Sequence, residues 1–130
     1  MSGKSDQDAT VGPSRPAAIN AVFAAGYNAR DVDALAALYE PDAVVTNPDG
    51  STSVGIEAIR VHLDRLVELG GSMTSENRYA IVNGDLSLVG ADWEIVFADG
   101  REHVVGRSAE VLRRQPDGIW RYVLDHPAAG

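Results

Sequence analysis

The residues of this sequence best suited to chemistry lie on its last two strand-like segments. Ser108, Glu110 and Leu112 alternate along one segment, so their side chains share a face. Val123 and Asp125 share a face of the other by the same rule. If both faces look into an apolar interior, Glu110 and Asp125 become two carboxyl groups stripped of water. Burial raises a carboxyl pKa, and a nearby second carboxylate raises at least one of the two further. That is the condition for proton transfer near neutral pH. The plainer alternative pairs Glu110 with Arg107 or Arg121 and leaves Asp125 to accept from local backbone donors.

The other polar candidates are weaker. His126 directly follows Asp125, so a regular strand sends the two to opposite faces and puts His126 outward or at a rim. His103, beside a hairpin turn, reads as exposed, and His62, between Val61 and Leu63, as a surface residue of a helix. No two histidines stand at metal-ligand spacing and the chain has no cysteine, so neither a metal nor a cofactor is expected. Ser108 lacks the Gly-x-Ser-x-Gly setting of a strained nucleophile. The apolar residues Phe23, Tyr39, Leu63, Trp93, Phe97, Leu112 and Val123 all suit core packing, and some could equally wall a hollow. Tyr27 and Asn47 would add polar handles to such a wall, the first through its hydroxyl and the second through its amide.

These side chains need a frame. The 130 residues give room for one domain, and 45% hydrophobic with 23% charged residues is a globular balance. A formal net charge of −8 repels phosphate backbones and argues against nucleic acid as a partner. Nothing approaches the roughly 20 apolar residues that span a bilayer, so no membrane partner is expected and a cytoplasmic location is the default. The first 13 residues read as a disordered tail, and residues 14–127 as the domain.

Within that domain, helical spacing covers residues 15–29, where Ser14 can cap and Pro16 suits the first turn, and then residues 31–39, where Asp31 caps. Ala43 to Thr46 reads as a short strand, closed by the turn Asn47-Pro48-Asp49-Gly50, and a third helix covers residues 56–69. The period then changes to two. Four strands are expected at residues 72–82, 86–98, 101–114 and 119–126, separated by Asn-Gly-Asp, Asp-Gly and Pro-Asp-Gly turns. Short connections make them an antiparallel meander, so the fold class is α+β with three helices on one face of a long, twisted sheet.

The segments Tyr27-Asn28-Ala29-Arg30-Asp31-Val32-Asp33-Ala34-Leu35, Leu38-Tyr39-Glu40-Pro41-Asp42-Ala43-Val44, Asn47-Pro48, Gly55-Ile56-Glu57-Ala58-Ile59 and the ending Asp117 to Pro127 carry a resemblance. Together they resemble the nuclear-transport-factor-2-like (NTF2-like) superfamily, nearest its SnoaL-like and ketosteroid-isomerase-like branch. The resemblance implies a cone-shaped, cystatin-like domain with a strongly curved antiparallel sheet, the helices over its concave face, and a pocket into which Glu110 and Asp125 point. In ketosteroid isomerases an aspartate before a proline is the base, and a helix tyrosine and a protonated aspartic acid form the oxyanion hole. Those positions fall here on Asn47, Phe23 and Glu110. Asn47 cannot accept a proton at neutral pH and Phe23 has no hydroxyl, so two of the three roles are empty.

Three functions remain open on this reading. The first is a pocket protein that binds a small apolar molecule, with or without turnover. The second is an isomerase, cyclase or hydratase acting on a polyketide-, steroid- or terpenoid-like substrate. The third is an interaction module whose pocket is vestigial. The resemblance also implies a homodimer through the convex sheet face, where strand alternation puts Trp120 opposite Val123 and Asp125.

Overall fold

A computed structural model describes residues 12–130. After a 3-10 turn at Pro16–Ala18, helix α1 spans Ile19–Asn28, α2 spans Val32–Ala36 and α3 spans Ile56–Glu68. The strands are β1 (Tyr39–Thr46), β2 (Thr52–Val54), β3 (Ser72–Asn83), β4 (Leu86–Val96), β5 (Val104–Arg114) and β6 (Trp120–His126). They form one curved sheet in the order β2-β1-β6-β5-β4-β3. The meander β3 to β6 is antiparallel, as the hairpin turns require. Strand β1 extends it by pairing parallel to β6, and β2, which the sequence pattern did not reveal, closes the edge.

Local chemistry sets the helix ends. Asp31 caps α2 through Ala34 N–H at 3.0 Å, but the helix stops at Ala36 rather than Tyr39. Tyr39 instead opens β1, where it packs on Tyr122 with ring centroids 4.7 Å apart. Ser14 does not cap the first helix; Arg15 occupies the cap position of the 3-10 turn without a side-chain bond. Of the expected tail, residues 1–11 lie outside the described residues, while Pro13 is buried and accepts from Trp120 N–H at 3.0 Å.

Two anchors hold the helices over the sheet. The Asn28 side chain pairs with the edge strand as another strand would, donating to Met73 C=O at 2.9 Å and accepting from Met73 N–H at 2.7 Å. The Tyr27 hydroxyl donates to Gly70 C=O at 2.6 Å, so the end of α1 is tied to the end of α3. Gly71, at φ +75°, makes the turn out of α3; a Cβ there would meet the Val96 carbonyl and the Phe97 ring.

The core lies between α1, α2, α3 and the concave face, around Ile19, Leu35, Ile59, Leu63, Val89 and Leu112. Trp120 and Tyr122 belong to it, which corrects the placement of Trp120 on the convex face. The reason is a β-bulge. Leu112 pairs with Tyr122 and Val111 with Leu124, so one step along β5 matches two along β6 and Val123 is the extra residue. Alternation reverses there: Trp120, Tyr122 and Asp125 all face inward, and Val123 does not share their face.

Because Trp120 is a core residue, Trp120→Ala leaves a cavity and costs about 3–5 kcal/mol. Urea unfolding at two protein concentrations checks this, since a core loss is independent of concentration and an interface loss is not.

Candidate functional site

Between the helices and the concave face lies a cavity of about 550 Å³, open at one end, with a largely apolar wall. Helix α1 contributes Phe23 and Asn20, α3 contributes His62 and Leu66, and the sheet supplies Met73, Trp93, Ile95, Ser108, Glu110 and Asp125. Gly106 lets the Trp93 indole lie flat against β5, because any Cβ at Gly106 would overlap that ring. The Trp93 Nε1–H donates to Pro127 C=O at 2.9 Å and fixes the segment that borders the mouth.

At the inner end Glu110 and Asp125 are direct partners across β5 and β6, and both are buried, 3% and 7% exposed. Neither pairs with an arginine: Arg107 lies on Asp92 at 2.8 Å. Instead a hydrogen-bond chain runs through the site. The Tyr122 hydroxyl donates to Asn20 Oδ1 at 2.6 Å, and Asn20 Nδ2 donates to Glu110 Oε1 at 3.0 Å. From the other side the Tyr39 hydroxyl donates to Asp125 Oδ2 at 2.6 Å.

Burial, then the Asp125 charge, pushes the Glu110 carboxyl up to about 8. Burial also raises Asp125, to about 6, where bonds from Tyr39 and Glu110 and the charge of His126 hold it down. Around neutral pH the pair therefore holds one proton, shared between the two carboxyl groups. The same burial raises the Tyr39 and Tyr122 phenols well above their ordinary range, so both stay protonated donors.

The mouth is polar. Asn47 Oδ1 lies 3.1 Å from His62 Nδ1, and its Nδ2 donates to Ser51 and Ser53. His62 is half-buried here rather than on the surface, and burial lowers its pKa, so it is neutral. His126 stands at the rim with Nδ1 2.8 Å from Thr46 Oγ1. His103 is exposed and paired with Glu94.

Of the residues expected on the pocket wall, the structure brings Phe23, Asn47, Trp93, Glu110 and Asp125 to the cavity. Tyr27 does not reach it, because its hydroxyl is held by the end of α3. Leu63 and Leu112 are fully buried in the core behind the wall, and Phe97 packs with Tyr27 in a separate cluster. Tyr39 acts on the cavity only through Asp125, and Val123 is displaced by the bulge. Asn20 is absent from the expected wall and His62 reads from the sequence as a surface residue, although each shares a helical stripe with recognised residues: Asn20 precedes Phe23 by three, and His62 follows Ile59 by three. Among the described residues no group of three or more His, Cys, Asp or Glu side chains could hold a metal. No helix among them is long and apolar enough to cross a membrane.

A family model described as the SnoaL-like domain matches residues 19–123. No curated protein matches the sequence. Among solved structures, a Thiobacillus denitrificans protein named as a calcium/calmodulin-dependent protein kinase type II association domain is 23% identical, with a TM-score of 0.76 over 91% of this chain and 96% of that one. An NTF2-like protein of unknown function from Shewanella oneidensis is 14% identical, TM-score 0.71, over 82% and 90%. A ketosteroid isomerase-like protein from Erwinia carotovora atroseptica is 18% identical, TM-score 0.63, over 84% and 88%. These likenesses establish the NTF2-like fold and leave the chemistry to the site.

The carboxyl pair makes stability depend on pH. Both folded-state pKa values lie above the ordinary carboxyl range, so the native state holds protons that the unfolded chain releases. Stability from this pair is therefore full below about pH 4, the ordinary carboxyl range, and is lost progressively as the pH rises through about 6 and then 8. Glu110→Gln flattens that decline and raises stability at the alkaline end by on the order of 1 kcal/mol or more. Urea unfolding followed across pH measures both.

Proposed function

The chain belongs to the SnoaL-like domain family, and from that premise we propose that it binds a small, mostly apolar molecule in the cavity, with the molecule's polar group against Glu110 and Asp125. The observation that carries this reading is a cavity of about 550 Å³ with apolar walls and one deep polar spot. Such a volume suits a drug-sized ligand, and a single convergent polar group fixes its orientation. The apolar wall supplies affinity and the carboxyl pair selects the ligand.

Turnover is the second reading, and the shared proton favours it. One carboxyl that keeps its proton beside one that has lost it forms an acid and a base in contact. Asp125 would take a proton from the bound molecule while Glu110 donates to the developing charge. The isomerase route through an aspartate at position 47 and a tyrosine at position 23 has no counterpart in Asn47 and Phe23.

The convex face supports a homodimer on grounds other than Trp120. Val54, Val44, Leu124, Val111, Leu88 and Ile81 are successive cross-strand neighbours, forming one apolar row over all six strands. Val54, Ile81, Leu88 and Leu124 are exposed. A second copy, turned about a two-fold axis, covers this row with its own.

Two measurements test these readings. NMR titration with apolar probes of about ten or more heavy atoms should shift resonances of Phe23, Met73, Trp93 and Ser108 together. Shifts confined to the outer face, or none, would sink the pocket reading. Sedimentation at micromolar concentration should give a dimer, and Leu124→Lys a folded monomer; a wild-type monomer would contradict the interface.

A further inference from the structure

Resting on the pocket reading above, we infer that the cavity selects organic cations: molecules with a protonated amine set against Asp125 and a hydrocarbon body along Phe23, Met73 and Trp93. The argument is one of charge balance. A buried carboxylate is costly unless it is paired. Asp125 accepts from Tyr39, and Glu110 accepts from Asn20, but these are neutral donors. Among the described residues no arginine or lysine lines the cavity. Arg107, Arg113, Arg114, Arg101 and Arg60 are all held by carboxylates outside it.

Among the described residues facing the pair, Tyr39, Tyr122 and Ser108 are hydroxyls and His62 across the mouth is kept neutral by burial. The one positive charge among them that acts on Asp125 is that of His126, which sits at the solvent-exposed rim and does not occupy the cavity. An ammonium group offers three donors and the missing charge, in a setting where Coulomb attraction is weakly screened. Trp93 and Phe23 line the cavity, and an aromatic ring attracts a cation placed over its face. A ligand carboxylate would instead place like charge beside Asp125. The net charge of −8 raises the local concentration of cations around the whole molecule.

Three isosteric probes test the inference: 1-naphthylmethylamine, 1-naphthylmethanol and 1-naphthoate, titrated calorimetrically into the full chain. At about pH 7.5 the amine should bind at least about tenfold more tightly than the alcohol, and the carboxylate more weakly than both. Lowering the pH through about 6, where Asp125 takes up a proton, should erase the amine's advantage and leave alcohol binding in place. Asp125→Asn should do the same without a pH change, and the wild-type pH series decides the matter if that variant does not fold. An amine no tighter than the alcohol overturns the inference and leaves the pocket reading standing. Failure of all three probes to bind overturns both.

Discussion

Asp125 can meet Glu110 inside the sheet only because β6 carries one residue too many. Trp120 and Tyr122 face the core, and strict alternation would send Leu124 inward after them and Asp125 outward. The extra residue at Val123 reverses that parity, so the strand that fills the core with aromatic rings also delivers a carboxylate to the cavity. Both the packed half of the domain and its hollow half depend on this single bulge.

Bringing two carboxyl groups together away from water would be untenable without partners. The structure supplies them from two directions, Asn20 on α1 donating to Glu110 and Tyr39 on β1 donating to Asp125, with Tyr122 on β6 holding Asn20. Each donor is itself buried and oriented by another contact, Asn20 by Tyr122 and the two tyrosine rings by each other. The pair then resolves its own repulsion by holding one proton. The result is a polar spot with a defined charge at the end of an apolar chamber, which is what a selective small-molecule site needs.

Much of this was legible in the sequence, for identifiable reasons. Hairpin turns and a period of two located β3 to β6 within a few residues, and alternation put Ser108, Glu110 and Leu112 on the buried face. The resemblance to ketosteroid isomerases points to Asn47 and Phe23, and both line the cavity. What failed was whatever the bulge or a tertiary contact decides. Val123 and Trp120 were assigned to the wrong faces because an inserted residue leaves no mark on apolar alternation. Tyr39 was read as helical because Leu35, Leu38 and Tyr39 keep a helical spacing that pairing with β6 overrides. Tyr27 looked like a ligand handle until the carbonyl at Gly70 claimed its hydroxyl. His62, flanked by Val61 and Leu63, reads as solvated from its immediate neighbours, yet it lies one turn from Ile59 and is half-buried at the mouth.

The three solved structures compared above are 14–23% identical to this chain, so function rests on the site and not on the architecture. The account stands on the protonation of two side chains. A ¹³C NMR titration of the Glu110 and Asp125 carboxyl carbons measures that directly. It should show two linked transitions near 6 and 8, with the higher one on Glu110 and each curve distorted by the other. Two independent transitions at about 4, the ordinary carboxyl value, would contradict the shared proton and every reading built on it.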